Sequence, residues 1–260
     1  MPESPERPGA SSARWGLRGR TALVTGGAGG IGRAICAALA DTGAAVVVSD
    51  LDAAAAGEVA AALPAGRSVA MDLADQDEVA SGIARIRDAA ADIDVLVHNA
   101  GVSAIAPFVE GDPADWELMW RVNTRAPMLL TRAFLPGMIG RGFGRLVFVS
   151  SDGARAGSGG EGAYAATKSA LFGLAKSLAR ETARHGVTSN VVCPGPTDTP
   201  MLREVAERHP DLIGKLTRQI PARRIGTPAD AASAVAFLAT PAAGYITGQT
   251  LSVSGGITMQ

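Results

Sequence analysis

The chain has 260 residues with 24 basic and 25 acidic side chains, a formal charge of −1, and this length suits one large domain with a substantial core. No run of like charge marks a nucleic-acid surface or a polybasic membrane patch, and no apolar run approaches the roughly 18 residues that span a bilayer. Its two cysteines, Cys36 and Cys193, lack CxxC or Cys/His spacing, which excludes a disulfide framework or metal site and reads as two buried small residues.

The first eighteen residues, MPESPERPGASSARWGLR, are rich in Pro, Ser, Gly and charge. They lack the apolar centre of a secretory signal, so residues 1–18 read as a disordered extension, and a cytoplasmic location is expected. From Thr21 short apolar runs alternate with longer segments. TALVTG (21–26), AVVVSD (45–50), SVAMD (68–72), DVLVHNAG (94–101), RLVFVSS (145–151), TSNVVCPG (188–195) and TLSVSGG (250–256) are seven candidate strands. Between most of them the apolar spacing is helical, as at Val79, Ile83, Ile86 and at Leu171, Leu174, Leu178. Continuously apolar strands alternating with helices predict one α/β domain over 19–260, a doubly wound Rossmann-type sheet, mainly parallel and covered on both faces. Ligands of such sheets sit at the carboxyl ends of the strands, where the strand order reverses.

The first strand runs into TGGAGGIG, 25–32. Glycines between a strand and an apolar helix let backbone approach a pyrophosphate at the helix N-terminus. Two registers fit, Gly27-x-Gly29-x-x-Gly32 and Thr25-Gly26-x-x-x-Gly30-x-Gly32. Asp50 closes the second strand, 24 residues after Gly26, near the separation at which an acid meets the adenosine ribose. Its charge would repel a 2′-phosphate, which favours NAD over NADP. Asp72, ending the third strand, is a candidate adenine-side contact.

Further along, AYAATK (163–168) sets Tyr164 and Lys168 four residues apart, on one face of a helix. The chain has only two tyrosines, Tyr164 and Tyr245, and three lysines, Lys168, Lys176 and Lys215. Oxidising an alcohol needs a base for the hydroxyl proton, and a phenol with pKa near 10 is too weakly ionised at neutral pH. The Lys168 ammonium, with a positively charged nicotinamide, is expected to favour the phenolate.

TGGAGGIG, HNAG (98–101), Ser151 thirteen residues before Tyr164, and Tyr-x-x-x-Lys together resemble the classical short-chain dehydrogenases/reductases. The resemblance covers about residues 18–260 and includes PGPTDT (194–199) and ITGQTLSVSGG (246–256). It selects the Thr25-Gly26-x-x-x-Gly30-x-Gly32 register. It implies catalytic roles for Asn123, Ser151, Tyr164 and Lys168: Ser151 holding the substrate oxygen, Lys168 also bonding the nicotinamide ribose, Asn123 holding a water of the proton relay. The cofactor contacts it implies are Thr25, Gly26, Gly30, Ile31, Gly32, Asp50, Asp72, Leu73, Asn99, Ala100, Gly101, Tyr164, Lys168, Pro194, Gly195, Thr197 and Thr199. His98, where the family more often has asparagine, is expected to be structural. No metal is implied. Family members commonly pair the long helices expected in 113–139 and 162–184, so a homotetramer is expected.

The amphipathic segment 199–222 suits a lid over the cleft. SDGARAGSGGEGAY, with Asp152 directly after Ser151, looks most like the branch containing NAD-dependent 2-hydroxycyclohexanecarboxyl-CoA dehydrogenase, and more broadly the 3-oxoacyl thioester reductases. That resemblance implies a β-hydroxyacyl thioester substrate, alicyclic acyl groups included, with Arg203, Arg208, Arg218, Arg223 and Arg224 available to coenzyme A phosphates. An NADPH-dependent 3-oxoacyl thioester reductase and a cofactor-binding protein without activity are the alternatives. Asp50 argues against the first and the intact Ser/Tyr/Lys set against the second.

Overall fold

The computed structural model describes residues 14–90, 92–208 and 211–259. Seven parallel strands, β1 Thr21–Thr25, β2 Ala45–Asp50, β3 Gly66–Ala70, β4 Val95–His98, β5 Gly144–Val149, β6 Val187–Pro194 and β7 Thr250–Val253, form one sheet in the order 3-2-1-4-5-6-7. This is the doubly wound Rossmann arrangement the alternating pattern predicts. The strand order reverses between β1 and β4, which opens the crevice at their carboxyl ends. The third strand starts two residues earlier than its apolar run. It is the sheet edge, Arg67 and Ser68 are exposed, and pairing with β2 rather than burial defines its start.

Helices α1 Gly30–Asp41, α2 Ala53–Ala61 and α10 Pro228–Ala239 cover one face, and α3 Gln76–Ala89, α5 Ala126–Arg141 and α7 Gly162–Thr182 the other. Each buried strand divides between the two cores by its period of two: Ala22 and Val24 face one and Leu23 the other, as Val95 and Val97 oppose Leu96. Each such side chain contributes roughly 1.5–3 kcal/mol on burial. Helix α4, Pro113–Trp120, is capped by Asp112 and passes through a π turn, Arg121–Arg125, into α5. Short α6, Asp152–Ala156, follows β5, and α8 Pro200–Arg208 and α9 Leu212–Gln219 occupy the amphipathic segment. Among the described residues no helix is long and apolar enough to cross a membrane.

The proposed disordered extension over 1–13 lies outside the described residues. Its last part, 14–18, belongs instead to the folded body. Leu17 is 1% exposed and its N–H donates to Thr42 O at 2.7 Å, while the Trp15 ring lies 5.9 Å from Phe237. Two apolar side chains in a polar stretch are enough to dock it. Both cysteines are free and buried.

Candidate active site

At the carboxyl end of β1 the chain turns through Gly26 at φ 62, where a Cβ would lie 2.8 Å from Ala100 Cα. A Cβ on Gly32 would lie 1.9 Å from Gly26 O, an impossible approach, whereas one on Gly29 would meet only Gly26 O, at 3.5 Å. A Cβ on Gly27 would lie 2.7 Å from Val48 Cγ1 and one on Gly30 3.3 Å from Thr199 Cγ2, so close packing involves Gly26, Gly27, Gly30 and Gly32, and Gly29 is the open position of the turn. Because Gly29 brings no side chain to cap α1, the first N–H groups of that helix are bare, a fit for a pyrophosphate. The turn is laced to β4. Thr25 Oγ1 accepts the N–H groups of Asn99 (3.2 Å) and Ala100 (3.3 Å), and Asn99 Nδ2 donates to Thr25 O (3.1 Å) and Gly26 O (2.9 Å).

Asp50 ends β2 half-exposed, its Oδ2 accepting Ala28 N–H at 2.9 Å and its Oδ1 Asp52 N–H at 3.3 Å. The carboxylate is therefore anchored to the glycine turn at the carboxyl end of β2. Asp72 Oδ1 accepts Ala74 N–H at 2.8 Å and lines a hollow with Leu51, Ala70 and Arg85. Leu73 packs into one core and partly buried Ile31 against the other. Beyond Pro194, which closes β6, a Cβ on Gly195 would lie 2.7 Å from Ser254 Cβ. Thr197 Oγ1 donates to Gly195 O at 2.8 Å, and Thr199 Oγ1 accepts Leu202 N–H at 3.3 Å at the start of α8.

Ser151 follows β5 and caps α6 by accepting Gly153 N–H at 3.1 Å. Tyr164, half-buried, and Lys168, 3% exposed, stand one turn apart on α7. Lys168 Nζ donates to Val149 O at 3.0 Å and Ala100 O at 3.4 Å. Asn123 is turned inward by the π turn and is fully buried. Its Oδ1 accepts Val102 N–H at 2.9 Å, and its Nδ2 donates to Val102 O at 2.9 Å and Thr167 Oγ1 at 3.0 Å. A Cβ on Gly101 would lie 2.7 Å from Lys168 Nζ and 3.3 Å from Asn123 Oδ1. Lys168, Asn123 and Gly101 thus meet at one point, beneath Tyr164 and Ser151.

Burial lowers the Lys168 pKa to about 8, where proton exchange at neutral pH becomes easy. Burial pushes the Tyr164 phenol up to about 12, the Glu161 carboxylate pushes it the same way, and the Ser151 hydroxyl opposes both. Lys168 is not among the groups that shift the phenol, its ammonium donating to two backbone carbonyls; the expected lowering depends on the nicotinamide charge of a bound oxidised cofactor. His98 stacks on Phe148 with centroids 4.7 Å apart, and its Nε2 lies 2.9 Å from Thr131 Oγ1. Burial, then the Lys168 charge, lowers its pKa to about 3, so this is a neutral core imidazole.

Two features escaped the sequence reading. Asp152 is 4% exposed, and its Oδ1 accepts the Ser252 hydroxyl at 2.5 Å while Arg155 Nη1 donates to that hydroxyl at 2.6 Å. Glu161, the acid just before the helix that carries Tyr164, turns its carboxylate toward the site. Its position three residues before Tyr164 was the available signal. The arginines assigned to coenzyme A phosphates are largely committed elsewhere: Arg203 to Asp198, Arg208 to Glu204, Arg224 to Asp230, and Arg223 to Arg218 O. Nearby acids neutralise three of the five.

A family profile described as enoyl-(acyl carrier protein) reductase matches residues 26–258. The 3-oxoacyl-(acyl-carrier-protein) reductase FabG of Escherichia coli (strain K12) is 37% identical over 244 residues, 94% of this chain and 99% of its own length. This chain belongs to the short-chain dehydrogenase/reductase family. Acetoacetyl-CoA reductase of Rhizobium meliloti (strain 1021) is 39% identical over 240 residues, 91% of this chain and 98% of the relative. Among solved structures, a gluconate 5-dehydrogenase from Burkholderia cenocepacia J2315 in complex with NADP and tartrate superposes with TM-score 0.88 at 32% identity, covering 95% of this chain and 98% of the other. As a short-chain dehydrogenase/reductase the protein is an oxidoreductase whose fold binds a nicotinamide cofactor, and it resembles the 3-oxoacyl thioester reductases.

Proposed function

We propose that the protein interconverts a secondary alcohol and a ketone with NAD(H), and that its substrate is a β-hydroxyacyl thioester, alicyclic acyl groups included. The observation that carries the chemistry is the convergence of Ser151, Tyr164, Lys168 and Asn123 at the carboxyl ends of β4 and β5, across the crevice from the bare N-terminus of α1. The backbone of Gly26, Gly30 and Gly32 would hold the dinucleotide pyrophosphate, and Asp50 the adenosine ribose. When bound, the nicotinamide supplies the hydride acceptor or donor.

The chain's own groups handle the proton. In oxidation Ser151 Oγ holds the alcohol oxygen, and Tyr164 Oη takes its proton after first releasing its own phenolic proton to Lys168 and the relay, since the resting phenol is protonated. Lys168, its pKa lowered toward neutrality, passes the proton on, with Asn123 Oδ1 and the backbone of Val102 fixing the relay. In reduction the same groups deliver the proton to the carbonyl oxygen. The thioester is supported by the resemblance to 3-oxoacyl-(acyl-carrier-protein) and acetoacetyl-CoA reductases, and NAD by the anchored Asp50 carboxylate, which would repel a 2′-phosphate.

Initial rates with NAD and NADP over linear and cyclic hydroxyacyl-CoA substrates test the reading. NAD should be preferred by about 5- to 150-fold, from charge repulsion and lost ribose hydrogen bonds together worth roughly 1–3 kcal/mol. Asp50→Ala should shrink that preference mainly by weakening NAD. Equal efficiency with both cofactors in the native protein would refute the NAD assignment.

A further inference from the structure

The loop from Gly157 to Glu161 joins α6 to the helix carrying Tyr164, and it delivers one acid to the reacting centre. Above Gly153 a Cβ would lie 3.0 Å from Glu161 Oε2 and 3.4 Å from Ser151 Oγ. The Glu161 carboxylate and the Ser151 hydroxyl therefore border the same small space. Among the described residues no side chain or backbone N–H is hydrogen-bonded to that carboxylate. It does not cap α7, for which only its backbone O serves, accepting Ala165 N–H at 2.7 Å. Among the described residues no cation lies within ion-pair distance of it. Arg155, on adjacent α6, is turned to Ser252, and Lys168 donates to Val149 O and Ala100 O. The charge is felt at Tyr164, where it adds to the effect of burial.

Because Ser151 Oγ is the proposed seat of the substrate oxygen, a negative charge beside it has one direct consequence for what can bind there. A carboxylate two carbons from the reacting alcohol would face Glu161 at short range in a partly screened site. Conversion of that carboxylate to a thioester or ester removes the repulsion and leaves the reacting alcohol unchanged. Resting on the proposed alcohol chemistry at Ser151 and Tyr164, we propose that Glu161 is a specificity-determining residue that admits uncharged acyl substrates and rejects free hydroxy-acid anions. The inference separates two kinds of similar protein. It favours the thioester chemistry named for the sequence relatives over the acid substrate named for the gluconate 5-dehydrogenase.

The test compares kcat/KM for 3-hydroxybutyrate, its methyl ester and its N-acetylcysteamine thioester in the native protein and in Glu161→Gln. The native protein should prefer the ester to the anion. The substitution should narrow that ratio by about ten-fold or more, through gain on the anion, as expected for two like charges at several ångströms in a partly screened site. A second arm needs no turnover. Tyr245 is fully exposed and is the only other tyrosine, so in a Tyr245→Phe background alkaline absorbance reports Tyr164 alone, and Glu161→Gln should lower its titration. A methyl ester used as well as the thioester refutes the thioester reading and leaves the charge rule standing. An ester-to-anion ratio unmoved by Glu161→Gln, or an unmoved Tyr164 titration, overturns the inference.

Discussion

On the β1–β4 side of the crevice the polar side chains around the glycine turn have partners within the fold, and the open groups are the first backbone N–H groups of α1. Thr25 and Asn99 tie β1 to β4, and both oxygens of Asp50 accept backbone N–H groups. On the side built by β5, α6 and α7, Glu161 has no cation and Asp152 Oδ2 no partner among the described residues, while the loop 157–160 carries open glycines. A dinucleotide presents the same phosphates and riboses at every turnover, so its cradle can be prebuilt and satisfied. Substrate chemistry varies across the family, and the groups left unpaired by the fold are those that can meet it.

The largest expected effect separates the two sides. Tyr164→Phe should cut kcat by about 10²- to 10⁴-fold, the usual worth of a positioned acid–base group. NAD affinity, read by quenching of protein fluorescence, should stay within about three-fold, because the phenol moves a proton and does not carry the dinucleotide. Turnover close to native would remove Tyr164 from the chemistry and with it the substrate-side assignment.

The next effect tests the seam where β4 underlies both sides. His98 has a folded pKa of about 3 against an ordinary value of 6.5, so between those limits the unfolded chain binds the extra proton. Stability is fully present above pH 6.5 and should fall as pH drops, by about 3 kcal/mol between pH 7 and pH 4 from this group. Thermal unfolding across that range should show the loss, and His98→Asn should flatten it. An unchanged acid slope in the variant would show that His98 is not the titrating group.

A smaller effect contrasts the glycines of the two sides. Gly32→Ala drives a Cβ into Gly26 O and should cost roughly 1–3 kcal/mol, as overpacking does, with a matching loss of NAD affinity. Gly159→Ala meets nothing within 4 Å and should stay within about 0.5 kcal/mol, as exposed substitutions do. Comparable melting temperatures for the two variants would erase the distinction between a packed and an open side.

Much of this molecule could be read along the chain. Seven strands fell on or beside the continuous apolar runs that predict them, because a strand buried on both faces carries its signal within a few consecutive residues. The glycine turn and the Tyr164/Lys168 spacing were equally legible, since each lies within eight consecutive residues. Tertiary structure decided what depends on neighbours distant in sequence. The edge position of β3 hid its start, and Trp15 and Leu17 docked a stretch whose composition reads as disordered. Asp152 became a buried partner of Ser252, one hundred residues away, and three exposed arginines, Arg203, Arg208 and Arg224, were paired with the nearby acids Asp198, Glu204 and Asp230. The sequence pairs Tyr164 with a lysine but cannot state how much water either retains. Burial does, partial at Tyr164 and nearly complete at Lys168, and it raises the phenol's pKa to about 12 and lowers the ammonium's to about 8.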